Sequence, residues 1–290
     1  MDRKPDNLTL ACFLTLIVLF SSIFYALIVS SGHVGAGAGN YVGGLMWCPA
    51  LAAFLTVYFR RLDARLLGLG WGGGRYAAIG YLTPLAYATA AYALVWLFGG
   101  GFFPDPKAMG GIGTKLGWHI VNPAVFVSLY LLLLGTTTII SSLAHALGEE
   151  IGWRGFLAPH LAGRLGFTGG ALVTGLIWTA WHLPLLLFAD YNSGTPWWFA
   201  LPCFTVMVVG LSFILTWLRL KSSSVWPCAM LHASHNLFIQ GFFSPLTGAR
   251  GAITPYLIGE FGVAVPALVV LFAIGFWWAR PSGAPFRPAV

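Results

Sequence analysis

A 290-residue chain that is 58% apolar, only 8% charged and of mean hydropathy +0.81 excludes an ordinary water-soluble globular protein. Its formal charge of +7 lies in short connections between apolar runs, so it implies no nucleic-acid partner. The apolar runs are continuous rather than alternating, which argues against a transmembrane barrel. The expectation is an all-α, polytopic helical membrane protein, with residues 1–290 forming a single integral-membrane domain in the lipid bilayer.

In chain order, the first apolar run covers about residues 8–30 after Asp2, Arg3 and Lys4. Ala36-Gly37-Ala38 resembles a signal-peptide cleavage site, but the apolar stretch is longer than a usual signal core, so a retained helix is expected. Further runs fall at about 41–59, 76–99, 120–147, 168–189, 197–218, 225–244 and 258–279, which makes about eight transmembrane helices. The last residues, rich in Pro, Ser and Gly, read as a disordered tail. Twelve of the fifteen Lys and Arg residues fall in segments on the side of the N-terminus, leaving Lys107, Lys115 and Arg250 on the other. The positive-inside rule then places both termini in the cytoplasm of a multi-pass cell-membrane protein. Residues 120–163 read as nearly unbroken helix and would reach about 66 Å, twice the thickness of a ~30 Å hydrocarbon core. Gly135 and Gly148 are the candidate break points.

Polar residues inside such a chain are costly and default to a functional reading. Glu149 and Glu150 are adjacent, about 100° apart on a helix, so they cannot face one partner. Glu150 and Arg154 stand at i,i+4 and can pair, leaving Glu149 on another face with His145, Trp153 and Phe156. Gly148, Gly152 and Gly155 permit close approach of a neighbouring helix or a substrate strand. His182 precedes Pro184, which should kink its helix and free a backbone acceptor. His232 and Asn236 share a face at i,i+4, with His235 turned about 60° from each. Glu149 lies 17 residues before Gly166 and His182 lies 16 after it, so an antiparallel helix pair turning there brings both to one depth. These residues are expected to meet in the cytoplasmic half of the bundle, in a cavity facing the cytoplasm.

The pattern Glu149-Glu150-x-x-x-Arg154, then Trp178-x-x-x-His182, then His232-x-x-x-Asn236 resembles the CAAX-protease and bacteriocin-processing (Abi) family of intramembrane glutamic endopeptidases. The motifs lie within residues 145–240. The resemblance implies that Glu149 activates the attacking water with help from His182, that His232 and Asn236 hold the oxyanion or the water, and that Glu150 and Arg154 support the site. It implies a peptide or protein substrate, which in some members is prenylated, and no metal or other cofactor. Trp178 stands where the family usually has Phe, and either residue would serve as an aromatic wall.

Two other readings compete. A zinc protease could use His182, His232 and a glutamate, but no HExxH helix is present and the ligands would come from three separate helices. A non-enzymatic bacteriocin-immunity, scaffold or transport protein could also bury these groups, although no pair of broken spans repeats between the halves. Cys12, Cys48, Cys203 and Cys228 are single and read as packing residues. Asp105, Asp190 and Glu260 lie at or near outer connections and are assigned no role, and His33, His119 and His160 read as interfacial.

Overall fold

The computed structural model describes residues 6–280, so the expected C-terminal tail lies outside the described residues. Helix α1 (Asn7–Ser31) starts at Asp6, whose side chain caps the amide of Thr9. Hydrogen bonds from the Thr9 hydroxyl and amide hold the Asp6 carboxyl down to about 2. α1 ends at Gly32 in the left-handed region, and the chain returns through α2 (Asn40–Arg60). α3 (Gly74–Leu97) leads to β1 (Gly101–Phe102), followed by α4 (Pro106–Leu116), whose first turn is capped by Asp105.

From Pro123 to Phe188 the chain is helical for 66 residues. α5 (Pro123–Leu133) passes through a π-helical segment, Leu134–Thr138, into α6 (Ile139–Glu150). A second π segment, Ile151–Leu157, joins α6 to α7 (Ala158–Phe188). The expected break points are corrected here. Gly135 lies inside a π turn and Gly148 does not interrupt the helix. The chain turns back at Gly166, with φ 70° and ψ 177°, a conformation open to glycine and costly for other residues. The Gly166 turn brings Gly170 so close to Ala162 that a Cβ there would stand 2.6 Å from the Ala162 nitrogen. Helical dihedrals continue through Pro184 as far as Phe188, so no break accompanies that proline.

α8 (Trp197–Ser222) and α9 (Trp226–Asn236) follow, and a third π segment, Leu237–Phe243, extends α9. The short turn α10 (Ser244–Leu246) leads to β2 (Gly248–Ala249), which pairs antiparallel with β1. α11 (Thr254–Leu257) and α12 (Ala264–Trp278) are the last elements among the described residues. The run expected from residue 258 thus begins its helix only at Ala264, because Ile258–Val263 folds into a turn in which residues 259–262 are buried.

Five stretches are long and apolar enough to cross a membrane, counting Pro123–Phe188 as one, and α12 is a shorter apolar helix. The protein is a polytopic helical membrane protein, as expected. Helix pairs approach through small residues. Gly80 of α3 lies against the Pro227 carbonyl of α9, and Gly175 of α7 against Val209 and Ser212 of α8. Gly148 and Gly152 meet the backbone of α2 at Met46 and Pro49, while Gly155 meets the Leu67 carbonyl. At that same end Arg219, 1% exposed, donates Nε to the Arg154 carbonyl at 2.9 Å and Nη2 to the Leu66 carbonyl at 2.8 Å.

Candidate active site

The first motif sits where α6 passes into its π segment, an irregularity frequent at functional sites. Glu150 and Arg154 are fully buried, and Glu150 Oε1 accepts from Arg154 Nη1 and from His232 Nδ1, both at 3.0 Å. The guanidinium lies 4.2 Å over the Trp178 ring, a cation–π contact. Removing one partner of such a buried pair costs about 3–5 kcal/mol, because the other charge is left uncompensated.

Glu149 points elsewhere, as the ~100° step between neighbours requires. It is 2% exposed, and its Oε2 accepts the indole N–H of Trp178 at 2.7 Å and of Trp153 at 3.3 Å. Its second oxygen has no hydrogen-bond partner among the described residues. The carboxylate lines a cavity of about 150 Å³ that also takes in His182, His232 and Asn236. Trp178 is therefore more than an aromatic wall: its N–H fixes Glu149, a bond that phenylalanine cannot make.

The two imidazoles are oriented by what their Nδ1 atoms hold. His182 Nδ1 lies 2.9 Å from the Trp178 carbonyl, so it carries the proton and leaves Nε2 with the lone pair. His232 Nδ1 faces Glu150, which leaves its Nε2 on the far side of the ring from that carboxylate. The Trp178 and His232 rings meet edge to face at 5.3 Å. Thus Trp178 touches Glu149, Arg154, His182 and His232. The α8 side of the cavity is apolar, with Phe204, Met207, Leu211 and Leu215.

The structure brings Glu149, His182, His232 and Asn236 to one cavity and sets Glu150 and Arg154 behind its wall. Among the described residues no three His, Cys, Asp or Glu side chains converge as a metal site would need. His145 bonds the Ser141 carbonyl, lies against Gly43 and does not line the cavity.

Sequence reasoning missed several residues. Glu260, assigned to an outer connection without a role, is 5% exposed and lines the same cavity with His235, Tyr191 and Gln240. Its rarity was a usable signal, since it is one of eight acidic residues and sits beside Gly259 within an apolar run. Asp190 also has a task. Its Oδ1 accepts the Val34 amide at 2.7 Å and its Oδ2 lies 3.3 Å from His33 Nδ1, which clasps the α7–α8 connection to the α1–α2 connection. The bond from the Val34 amide holds the Asp190 carboxyl below the ordinary range.

The expected depth needs correction. Equal spacing about Gly166 does bring Glu149 and His182 together, but 16 residues of helix put them about 24 Å from that turn. Gly148 packs on Met46 near the start of α2, and Tyr25 near the end of α1 donates its hydroxyl to the Trp181 carbonyl. The cavity therefore lies toward the end away from the N-terminus of α1 and reaches Val34 and Tyr191 in the connections there. Termini in the cytoplasm and a cavity in the cytoplasmic half do not fit together on this fold.

With this geometry in place, comparison with known proteins is specific. Residues 130–238 match the family model described as type II CAAX prenyl endopeptidase Rce1-like. The resemblance expected from the motifs holds. A 100-residue segment is 29% identical to CAAX prenyl protease 2 of Methanococcus maripaludis. That alignment covers 32% of this chain and 32% of the relative, so the chain matches about a third of the curated protein's length. The segment matched to the family model contains all six of Glu149, Glu150, Arg154, His182, His232 and Asn236.

Proposed function

We propose that the chain is an intramembrane glutamate-dependent endopeptidase of the CAAX prenyl-protease type. The observation that carries this reading is Glu149: one oxygen is pinned by two indoles, and the carboxylate faces a cavity shared with His182, His232 and Asn236. In this mechanism the unpinned oxygen of Glu149 takes a proton from water as that water attacks the peptide carbonyl, and His182 Nε2 helps align the water. The charge developing on the carbonyl oxygen is met by the Asn236 amide and by the Nε2–H of a His232 imidazolium, which Glu150 stabilises. One such donor contributes about 3–4 kcal/mol to the transition state. The proton held by Glu149 then passes to the departing amine, and the two peptide fragments leave.

The substrate is a membrane-associated peptide or protein, and the relative's name makes a prenylated C-terminal segment the first candidate. The chain acts as one integral-membrane unit in the cell membrane. It crosses eight times once the Gly166 turn divides the long helical run and α9 with its π extension and α12 are counted, with the basic end in the cytoplasm. The test is hydrolysis of a prenylated-peptide library by the purified full chain in detergent. The native chain cleaves and Glu149→Gln loses at least about a hundredfold in kcat. Full activity in Glu149→Gln overturns the reading, and a full cellular phenotype in that variant points to a scaffold instead.

A further inference from the structure

The candidate site has a second polar wall that the reaction outlined above does not use. Glu260 sits in the turn Ile258–Val263, where Gly259 takes φ +74° and a Cβ on Gly262 would stand 2.3 Å from the Ile258 carbonyl. Residues 259–262 are buried, and the Gly259 amide is held by the Tyr92 hydroxyl at 3.0 Å. A carboxylate in so tight and dry a turn is expensive unless its partners are fixed. They are. Glu260 Oε1 lies 3.0 Å from His235 Nε2, and the far nitrogen of that imidazole meets the buried Tyr87 hydroxyl. Glu260 Oε2 accepts from the Tyr191 hydroxyl at 3.2 Å.

Tyr191 is the link to the reacting groups. Its ring stacks on the His182 imidazole, with centroids 6.0 Å apart and planes inclined by 21°. Trp181 and Phe204 meet the imidazole edge-on at 4.9 and 5.0 Å, and Trp178 lies tilted against it at 6.0 Å. Nδ1 of His182 is held by a backbone carbonyl, and the remaining freedom of the ring is limited by these four aromatic neighbours. Two of the four are anchored to a carboxylate of the cavity, Trp178 to Glu149 and Tyr191 to Glu260, and Tyr191 is the one that lies nearly parallel to the imidazole.

We propose that Glu260 is a positioning residue for His182, acting through the hydroxyl of Tyr191, with His235 and Tyr87 holding the carboxylate in place. The inference rests on the peptidase reading of the site. It names a fourth segment, beyond the three motif-bearing helices, on which the reaction geometry depends.

The test is a double-mutant cycle on the purified full chain in detergent, with a quenched farnesylated peptide as probe. Tyr191→Phe keeps the ring and removes the anchor, and Glu260→Gln removes the charge. Each single variant lowers kcat by about tenfold with KM unchanged, as expected of a loosened reacting group. The double variant is no slower than the slower single, because both act through one bond. Thermal midpoints stay close to that of the native chain. The inference is overturned if Tyr191→Phe retains kcat within twofold, if the two effects multiply, if the loss lies in KM alone, or if it tracks a fall in thermal midpoint. Should Glu260→Gln fail to fold, Tyr191→Phe alone still decides. Glu149→Gln separates the two levels: activity in that variant sinks the peptidase reading, whereas its inactivity with an unaffected Tyr191→Phe sinks only the role of Glu260.

Discussion

Trp178 gathers the site at the scale of single residues. Its indole N–H, its ring face, its ring edge and its carbonyl each serve a different neighbour: Glu149, Arg154, His232 and His182 in turn. Trp178→Phe preserves an aromatic surface but strips Glu149 of its 2.7 Å donor, leaving the weaker 3.3 Å bond from Trp153. Kinetics of the purified variant should show kcat reduced by about tenfold, the cost of losing one charge-assisted hydrogen bond, with the protein still folded. The separate partners of Glu149 and Glu150 were legible in the sequence, because helical geometry alone keeps adjacent side chains from facing one group. The indole bond was not, since which edge of a ring faces a carboxylate depends on packing between helices. Glu260 was hidden for a related reason: its position in the chain says connection, while its burial comes from a glycine-shaped turn folding inward.

At the scale of elements, the helix bearing the first motif is pressed onto α2 by glycines rather than by side-chain interdigitation. At Gly152 a Cβ would stand 2.4 Å from the Pro49 Cβ and 2.7 Å from its carbonyl carbon. Pro49 is buried in the middle of α2 and cannot retreat. Gly152→Ala therefore separates α6 from α2 and destabilises the fold by about 1–3 kcal/mol, the usual cost of overpacking, as a lowered thermal midpoint would record. The small-residue spacing pointed to this contact before any coordinates. The π segments that follow α6 and α9 left no such trace, because their dihedrals stay close to helical. The turn at Gly166 was readable for the opposite reason, since only glycine is comfortable at its φ.

On the scale of the whole molecule, the number and order of apolar runs gave the class and most of the helix ends. Depth was harder to read, because residue spacing fixes relative height and not distance from either surface. The proposed orientation rests on where the basic residues gather. Cysteine placed at exposed Arg65 should react with an impermeant maleimide only after the cell membrane is opened, and cysteine at exposed Lys107 should react in intact cells, each measured over the background of the native cysteines. The reverse pattern would turn the molecule over and place the cavity end in the cytoplasm. The two ends also differ mechanically. At one, the buried Arg219 binds two backbone carbonyls from separate segments. At the other, the α1–α2 and α7–α8 connections beside the cavity meet through one amide and an exposed imidazole–carboxylate contact. If the chain is a peptidase, this asymmetry makes the lightly tied pole the expected entrance for a peptide backbone, with the opposite pole keeping the glutamates in register.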